Sequence, residues 1–210
     1  MNGAHPSVRH VVKLGGSQAA SPRLRDWLGL IAASPGTLLI PGGGPFADTV
    51  RAEQQRLGYD EQAAHEMAML AMTQFGRALC ALAPALTLAP SLDRIERICE
   101  GGGVAVAVPW PLLATETELP ARWDVTSDSI ALWFARRLKA PLLLIKSVSA
   151  PPGADLAALA AAGVIDRFFP SLAAGFRFPI HLAGPADLPA GSSLDPARLP
   201  GAALFAAQFA

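Results

Sequence analysis

Two short apolar runs in this chain break directly into glycines: Val8–Leu14 (VRHVVKL) into Gly15-Gly16-Ser17, and Thr37–Pro41 (TLLIP) into Gly42-Gly43-Gly44. Val104–Val108 and Pro141–Ile145 (PLLLI) have the same character. Short β-branched and aliphatic runs without polar alternation read as strands buried on both faces. Capped helical segments lie between them. Ser21 and Pro22 open a helix to Ala33; Pro45 opens one that Gly58 stops after Leu57; Asp60 caps a long one from Glu61 to about Ala81. Further helices fit Ser91–Glu100, Thr126–Lys139 and Ala154–Ala162. Pro84–Pro90 reads as a strand or an extended loop, the Pro/Trp-rich stretch to Pro120 as a loop, and Phe178–Leu182 as the last strand. Ser192–Ala210 fits no element clearly. Buried strands alternating with helices predict an α/β fold: a mainly parallel sheet covered on both faces.

At 210 residues the chain suits one domain, or two closely packed lobes. Seventeen basic residues balance seventeen acidic ones, so no overall field draws the protein to nucleic acid or a membrane surface. Trp27, Trp110, Trp123 and Trp133 are too scattered for a base-stacking platform. Cys80 and Cys99 form no disulfide framework, and His65 and His181 lack a second ligand at metal spacing, so no protein-held metal is expected. The start MNGAHPSVRH carries no apolar signal segment, and Ala78–Leu92 is interrupted by Pro84 and Pro90. These features predict a soluble, cytoplasmic protein.

Both glycine loops stand where open α/β sheets hold ligands, beyond the carboxyl end of a strand and before a helix. Glycines let backbone N–H groups approach phosphate, and a helix N-terminus adds partial positive charge. The second loop also fits a degenerate dinucleotide fingerprint, Gly42-x-Gly44-x-x-Ala47. The acidic residue due about 20 positions on falls near Glu61, inside a helix, and no G-x-x-x-x-G-K-[ST] run occurs, so both common nucleotide folds are disfavoured. Lys13 and Lys146 each end an apparently buried strand, where an unpaired ammonium is costly and an anionic partner resolves the cost. Lys139, near a helix C-terminus, reads as a solvated charge. Asp128, taken alone, reads as a helix N-cap sooner than as a site carboxylate.

Assembled in order, Val11–Ser17 (VVKLGGS), Leu38–Asp48 (LLIPGGGPFAD) and Trp123–Ala135 (WDVTSDSIALWFA) resemble the amino-acid kinase superfamily, which includes aspartate, acetylglutamate and uridylate kinases. GGGPFADTVR, Ala63–Gly76 (AAHEMAMLAMTQFG) and Gly163–Pro170 (GVIDRFFP) resemble a narrower branch, the kinases of methanofuran biosynthesis. The resemblance implies a three-layer αβα sandwich over residues 1–210, with an acceptor lobe at about 1–120 and a nucleotide lobe at about 121–210. It implies ATP with Mg²⁺ as cosubstrate, a small-molecule acceptor and a homo-oligomer; the apolar helix Ala63–Cys80, with Met67, Leu70, Phe75 and Leu79, suits a face buried against a partner and equally core packing within one chain. Lys13 would contact the transferring phosphoryl group, with Asp128 orienting the catalytic lysines, Lys146 among them. Gly15, Gly16, Ser17 and Ser147 would hold phosphates, while Gly42, Gly43, Gly44, Arg51, Asp124 and Thr126 would enclose the acceptor. The branch implies the acceptor [5-(aminomethyl)furan-3-yl]methyl phosphate, with Arg51 on its phosphate and Asp124 on its ammonium. Another acceptor, or nucleotide binding without turnover, are the alternatives. The family commonly has a TDVDG-like run after the central strand and a second lysine beyond it. Here the stretch reads Lys146-Ser147-Val148-Ser149-Ala150 and no lysine follows, so the second cation falls to Lys146 or Arg167.

Overall fold

The computed structural model describes residues 7–151 and 153–205; residues 1–6 of the N-terminal segment and the last five residues of the tail lie outside them. Seven strands form one sheet in the order β3-β4-β2-β1-β5-β6-β7. The strands are β1 His10–Leu14, β2 Thr37–Pro41, β3 Leu86–Ala89, β4 Val104–Ala107, β5 Leu142–Ile145, β6 Ile180–Ala183 and β7 Ala202–Phe205. All neighbours pair in parallel except β6 and β7. The central strands are buried along their whole length, as their largely apolar composition favours, and His10, Lys13 and Thr37 are the polar residues buried with them.

The helices are α1 Leu24–Ala32, α2 Gly44–Leu57, α3 Glu61–Leu82, α4 Leu92–Glu100, α5 Pro109–Leu113, α6 Ser127–Leu138, α7 Leu156–Ala161 and α8 Phe169–Ala173. Local chemistry sets most of their ends. Asp60 accepts from the Ala63 N–H at 2.8 Å, Ser91 from the Arg94 N–H and Asp155 from the Ala158 N–H, while left-handed Gly58 closes α2. Two cores lie on the two faces of the sheet. One joins Val11, Ile40 and Leu144 to Ile130 and Phe134 of α6; the other joins Val12, Leu14 and Ile145 to Trp27 of α1 and Phe75 of α3. Phe75 and Leu79 thus belong to the chain's own core, whereas Met67 and Leu70 on the same helix are exposed.

Three expectations need correction. Phe178–Leu182 does not hold the last strand, because the tail returns as β7 and pairs antiparallel with β6. The loop after β4 contains α5, which Pro109 starts at a position where a missing N–H costs nothing. Ser21 does not cap α1; it accepts from the Arg23 N–H in a turn, and the helix begins at Leu24. Among the described residues no helix is long and apolar enough to cross a membrane.

Candidate active site

Strand pairing brings the two key lysines together. Lys13 of β1 is in register with Leu144 of β5, so Lys146, two residues on, emerges on the same face of the sheet. Helix α6 lies over β1 and β5 on that face and directs Asp128, from its first turn, at both ammonium groups. Lys146 Nζ donates to Asp128 Oδ2 at 2.6 Å, and Lys13 Nζ is ion-paired to Oδ1 at 2.9 Å. Asp128 and Lys13 are 2% and 4% exposed, so this cluster is dry and its interactions are weakly screened. Burial opposes the Asp128 charge, but Lys13 and Lys146 outweigh it and hold the carboxyl at about 2. Burial also depresses Lys13, to about 8, against the pull of Asp128. At neutral pH Asp128 and Lys13 are therefore both ionised.

Asp128 is not a cap. Thr126 is the N-cap of α6, and the Asp166 carboxylate, reaching in from the turn before α8, accepts from the Thr126 and Ser129 N–H groups at 2.9 Å each. This leaves the Asp128 carboxylate free for the lysines.

The glycine loops close over this cluster and touch each other. A Cβ on Gly42 would lie 2.2 Å from Gly16 N, and one on Gly16 would lie 2.5 Å from Gly44 N. Only glycine fits such an approach. The Gly42 N–H is used on the Leu14 carbonyl, and the Gly15 N–H on the Ile145 carbonyl at 2.9 Å. Gly15 therefore has no amide to offer a phosphate, contrary to expectation; its smallness matters because a side chain would press on Ile145 O at 3.0 Å and Lys13 Nζ at 3.5 Å. The N–H groups of Gly16, Ser17, Gly43 and Gly44 have no backbone acceptor among the described residues, and the last two open α2. Ser17 and Ser147 are both exposed at the ends of β1 and β5.

Two clefts flank the cluster. The smaller, about 90 Å³, runs between α2 and α3 and is lined by Gly43, Arg51, Glu61, His65, Trp123 and Thr126 over Met69 and Met72. The Arg51 guanidinium stacks 4.3 Å from the Trp123 ring. The indole N–H donates to Gln54 Oε1 at 2.6 Å, and Gln54 Nε2 donates to Glu61 Oε1 at 3.1 Å. Burial lowers the His65 pKa, which favours the neutral ring. The larger cleft, about 420 Å³, is lined by Asp124, Thr126, Asp128, Lys146, Asp166 and Arg167. Asp124 therefore faces the second cleft, 3.8 Å from Arg122, and not the one that holds Arg51. Sequence reasoning passed over Gln54, Glu61 and Asp166 as site residues; only the helical spacing of Gln54 and Arg51, one turn apart on α2, hinted at the first.

Comparison with known proteins agrees with this geometry. Residues 9–150 match the model of the Amino acid kinase family. Over 132 residues the chain is 27% identical to [5-(aminomethyl)furan-3-yl]methyl phosphate kinase of Methanocaldococcus jannaschii, a match spanning 61% of each chain. In fold it is similar to uridylate kinase from Archaeoglobus fulgidus (TM-score 0.63, 18% identity, covering 84% of this chain and 91% of that one). It is likewise similar to aspartate kinase from Synechocystis (TM-score 0.67, 16% identity, 84% and 38%). With paired glycine loops, a two-lysine carboxylate cluster and a family match across most of its length, the chain belongs to the amino acid kinase family.

Proposed function

We propose that this protein is an ATP-dependent kinase that phosphorylates a small metabolite already carrying a phosphate, namely [5-(aminomethyl)furan-3-yl]methyl phosphate, giving its diphosphate. The observation that carries the reading is the convergence of Lys13 and Lys146 on Asp128, beside unpaired amides at Gly16, Gly43 and Gly44. In the reaction an acceptor phosphate oxygen bonds to the γ-phosphorus of ATP as the bond to the ADP oxygen breaks. Such transfer needs little covalent help from protein; positioning and charge neutralisation carry it. Two ammonium groups with their shared carboxylate, held dry, serve the equatorial oxygens, and the amides cradle the phosphates. Magnesium suits this site as an ion carried by the ATP phosphates with its own waters, because both Asp128 oxygens already face lysines. The ion lends charge neutralisation to the phosphates when bound.

The relative from Methanocaldococcus jannaschii supports the acceptor. The small cleft supports it too: Arg51 and Arg122 suit its phosphate, the apolar floor and indole suit a flat ring, and Glu61, in place of Asp124, suits its ammonium. A homo-oligomer belongs to the same reading, with exposed Met67 and Leu70 of α3 as its apolar contacts.

The test is ADP formation from Mg·ATP with a panel of acceptors: the furan phosphate, aspartate, glutamate, carbamate, UMP and isopentenyl phosphate, beside a Lys13→Ala control. ADP that depends on the furan phosphate and falls about 10²–10³-fold in the control is expected. Turnover of a different acceptor keeps the kinase and discards the substrate. ATP binding without turnover of any acceptor discards the kinase reading in favour of a nucleotide-binding protein.

A further inference from the structure

Asp166 lies in the turn between α7 and α8 and is 8% exposed. Five donors converge on its carboxylate. Oδ2 accepts from the Thr126 N–H at 2.9 Å, Thr126 Oγ1 at 3.0 Å and the Ser129 N–H at 2.9 Å. Oδ1 accepts from Ser129 Oγ and, at 2.9 Å, from the Phe169 N–H. Burial and the nearby Asp128 carboxylate raise the Asp166 pKa above the ordinary value, and the hydrogen bonds from Ser129 and Thr126 oppose that rise; three of the five donors are amides, which favour a charged acceptor.

An ordinary helix cap comes from the residue next door, and α6 already has one in Thr126. Asp166 reaches in from 37 to 40 residues away and binds Thr126 and Ser129, which bracket Asp128 in the chain. Charge points the same way. Lys13 and Lys146 bring two positive charges into a dry site where Asp128 supplies one negative charge. Asp166, buried in the lining of the larger cleft, offers the second negative charge that balances these two cations. We propose that Asp166 is the positioning residue of this site: it clamps the first turn of α6 so that Asp128 faces both lysines, and it supplies the second negative charge that offsets the two cations.

Besides burial, the charged groups acting on Lys13 are Asp128, which favours its charged form, Lys146, which opposes it, and Asp166, which favours it. Asparagine at position 166 keeps the shape and one acceptor oxygen, loses the charge, and turns an NH₂ group toward donors. The protein has three lysines, so each can be followed by ¹⁵N NMR in lysine-labelled protein. In Asp166→Asn the Lys13 ammonium should titrate at lower pH than in the wild type. Its kcat should fall at least about tenfold, from misaimed side chains, with KM for ATP within about threefold. A folded Asp166→Asn protein with an unmoved Lys13 midpoint, or with unchanged kcat, overturns the inference. If that variant does not fold, Ser129→Ala decides, since it removes one rung of the clamp and keeps the charge. Reduced kcat with an unchanged melting temperature supports the clamp, and unchanged kcat refutes it. The kinetic arm rests on the proposed kinase activity, whereas the lysine titration does not. A wild type that turns over no acceptor, together with a lowered Lys13 midpoint in Asp166→Asn, would overturn the kinase reading and keep this one.

Discussion

Replacing Lys13 by methionine should abolish activity while leaving the fold at least as stable. Lys13 is 4% exposed, and burial depresses its pKa from 10.5 to about 8. That difference means the folded protein at pH 7 holds the charged lysine at a cost of about 3 kcal/mol relative to the unfolded chain. Methionine has similar length, no charge, and fills the space. Against this gain, Asp128 loses one of the two lysines that, against the opposition of burial, bring it from 3.8 to about 2, a net shift worth about 2 kcal/mol. Lys146 remains at 2.6 Å, so the carboxylate stays paired. The balance is a stabilisation of about 1–3 kcal/mol at pH 7, in keeping with apolar replacement of buried charges elsewhere. The sign with pH follows from linkage. Below about pH 8 Lys13 is protonated in both states; between about 8 and 10.5 only the unfolded chain keeps the proton, so wild-type stability rises with pH. Lys13→Met lacks this rise. Its advantage should therefore shrink by about 3 kcal/mol between pH 7 and pH 10. Urea unfolding of both proteins at the two pH values measures it, and groups common to both proteins cancel in the difference. Parallel pH curves, or a variant less stable by more than about 1 kcal/mol at pH 7, would refute the reasoning.

Two more expectations follow from packing and from the small cleft. Gly42→Ala should cost about 1–3 kcal/mol and sharply weaken ATP binding by calorimetry, because its Cβ would sit 2.2 Å from Gly16 N. Gly29→Ala, at an exposed position of α1 with nothing within 4 Å, is the control and should gain up to about 1 kcal/mol in thermal melts. Glu61→Gln should raise KM for an amine-bearing acceptor about tenfold or more and leave KM for its des-amino analogue unchanged, with Asp124→Asn altering neither. Equal effects on both acceptors, or an effect confined to Asp124→Asn, would return the ammonium to Asp124.

What the sequence disclosed was whatever rests on neighbouring residues. β2, the Asp60 cap and the Gly58 stop follow from a few adjacent side chains, and both glycine loops stand where their strands end. What it withheld depends on partners far along the chain. Asp128 looked like a cap because its true neighbours, Asp166 and the two lysines, arrive from α8's turn and from β1 and β5. The Trp123–Gln54 bond spans 69 residues, so the lining of the small cleft had no local signature. β7 forms only because β6 offers it an edge. Gly15 shows a subtler limit: the glycine was legible, but its amide is used by β5, a strand more than a hundred residues away.

The departure from the family after β5 has a physical answer in the sheet itself. A phosphoryl group in transfer spreads charge over three oxygens, and cations are needed from more than one direction. Parallel strands in register place residues of like parity on one face, about 4.8 Å apart. Lys146 therefore rises beside Lys13 simply by ending the strand next to β1, with Asp128 receiving both. Arg167 is exposed at the rim of the larger cleft, away from that carboxylate. On the proposed function, then, Lys146 is the better placed substitute for the lysine the family commonly has further on. The cation stands one residue beyond β5, and no acidic residue follows it before Ala150. A carboxylate there would compete with Asp128 for Lys146, and Ser147-Val148-Ser149 leaves the ammonium to a single partner.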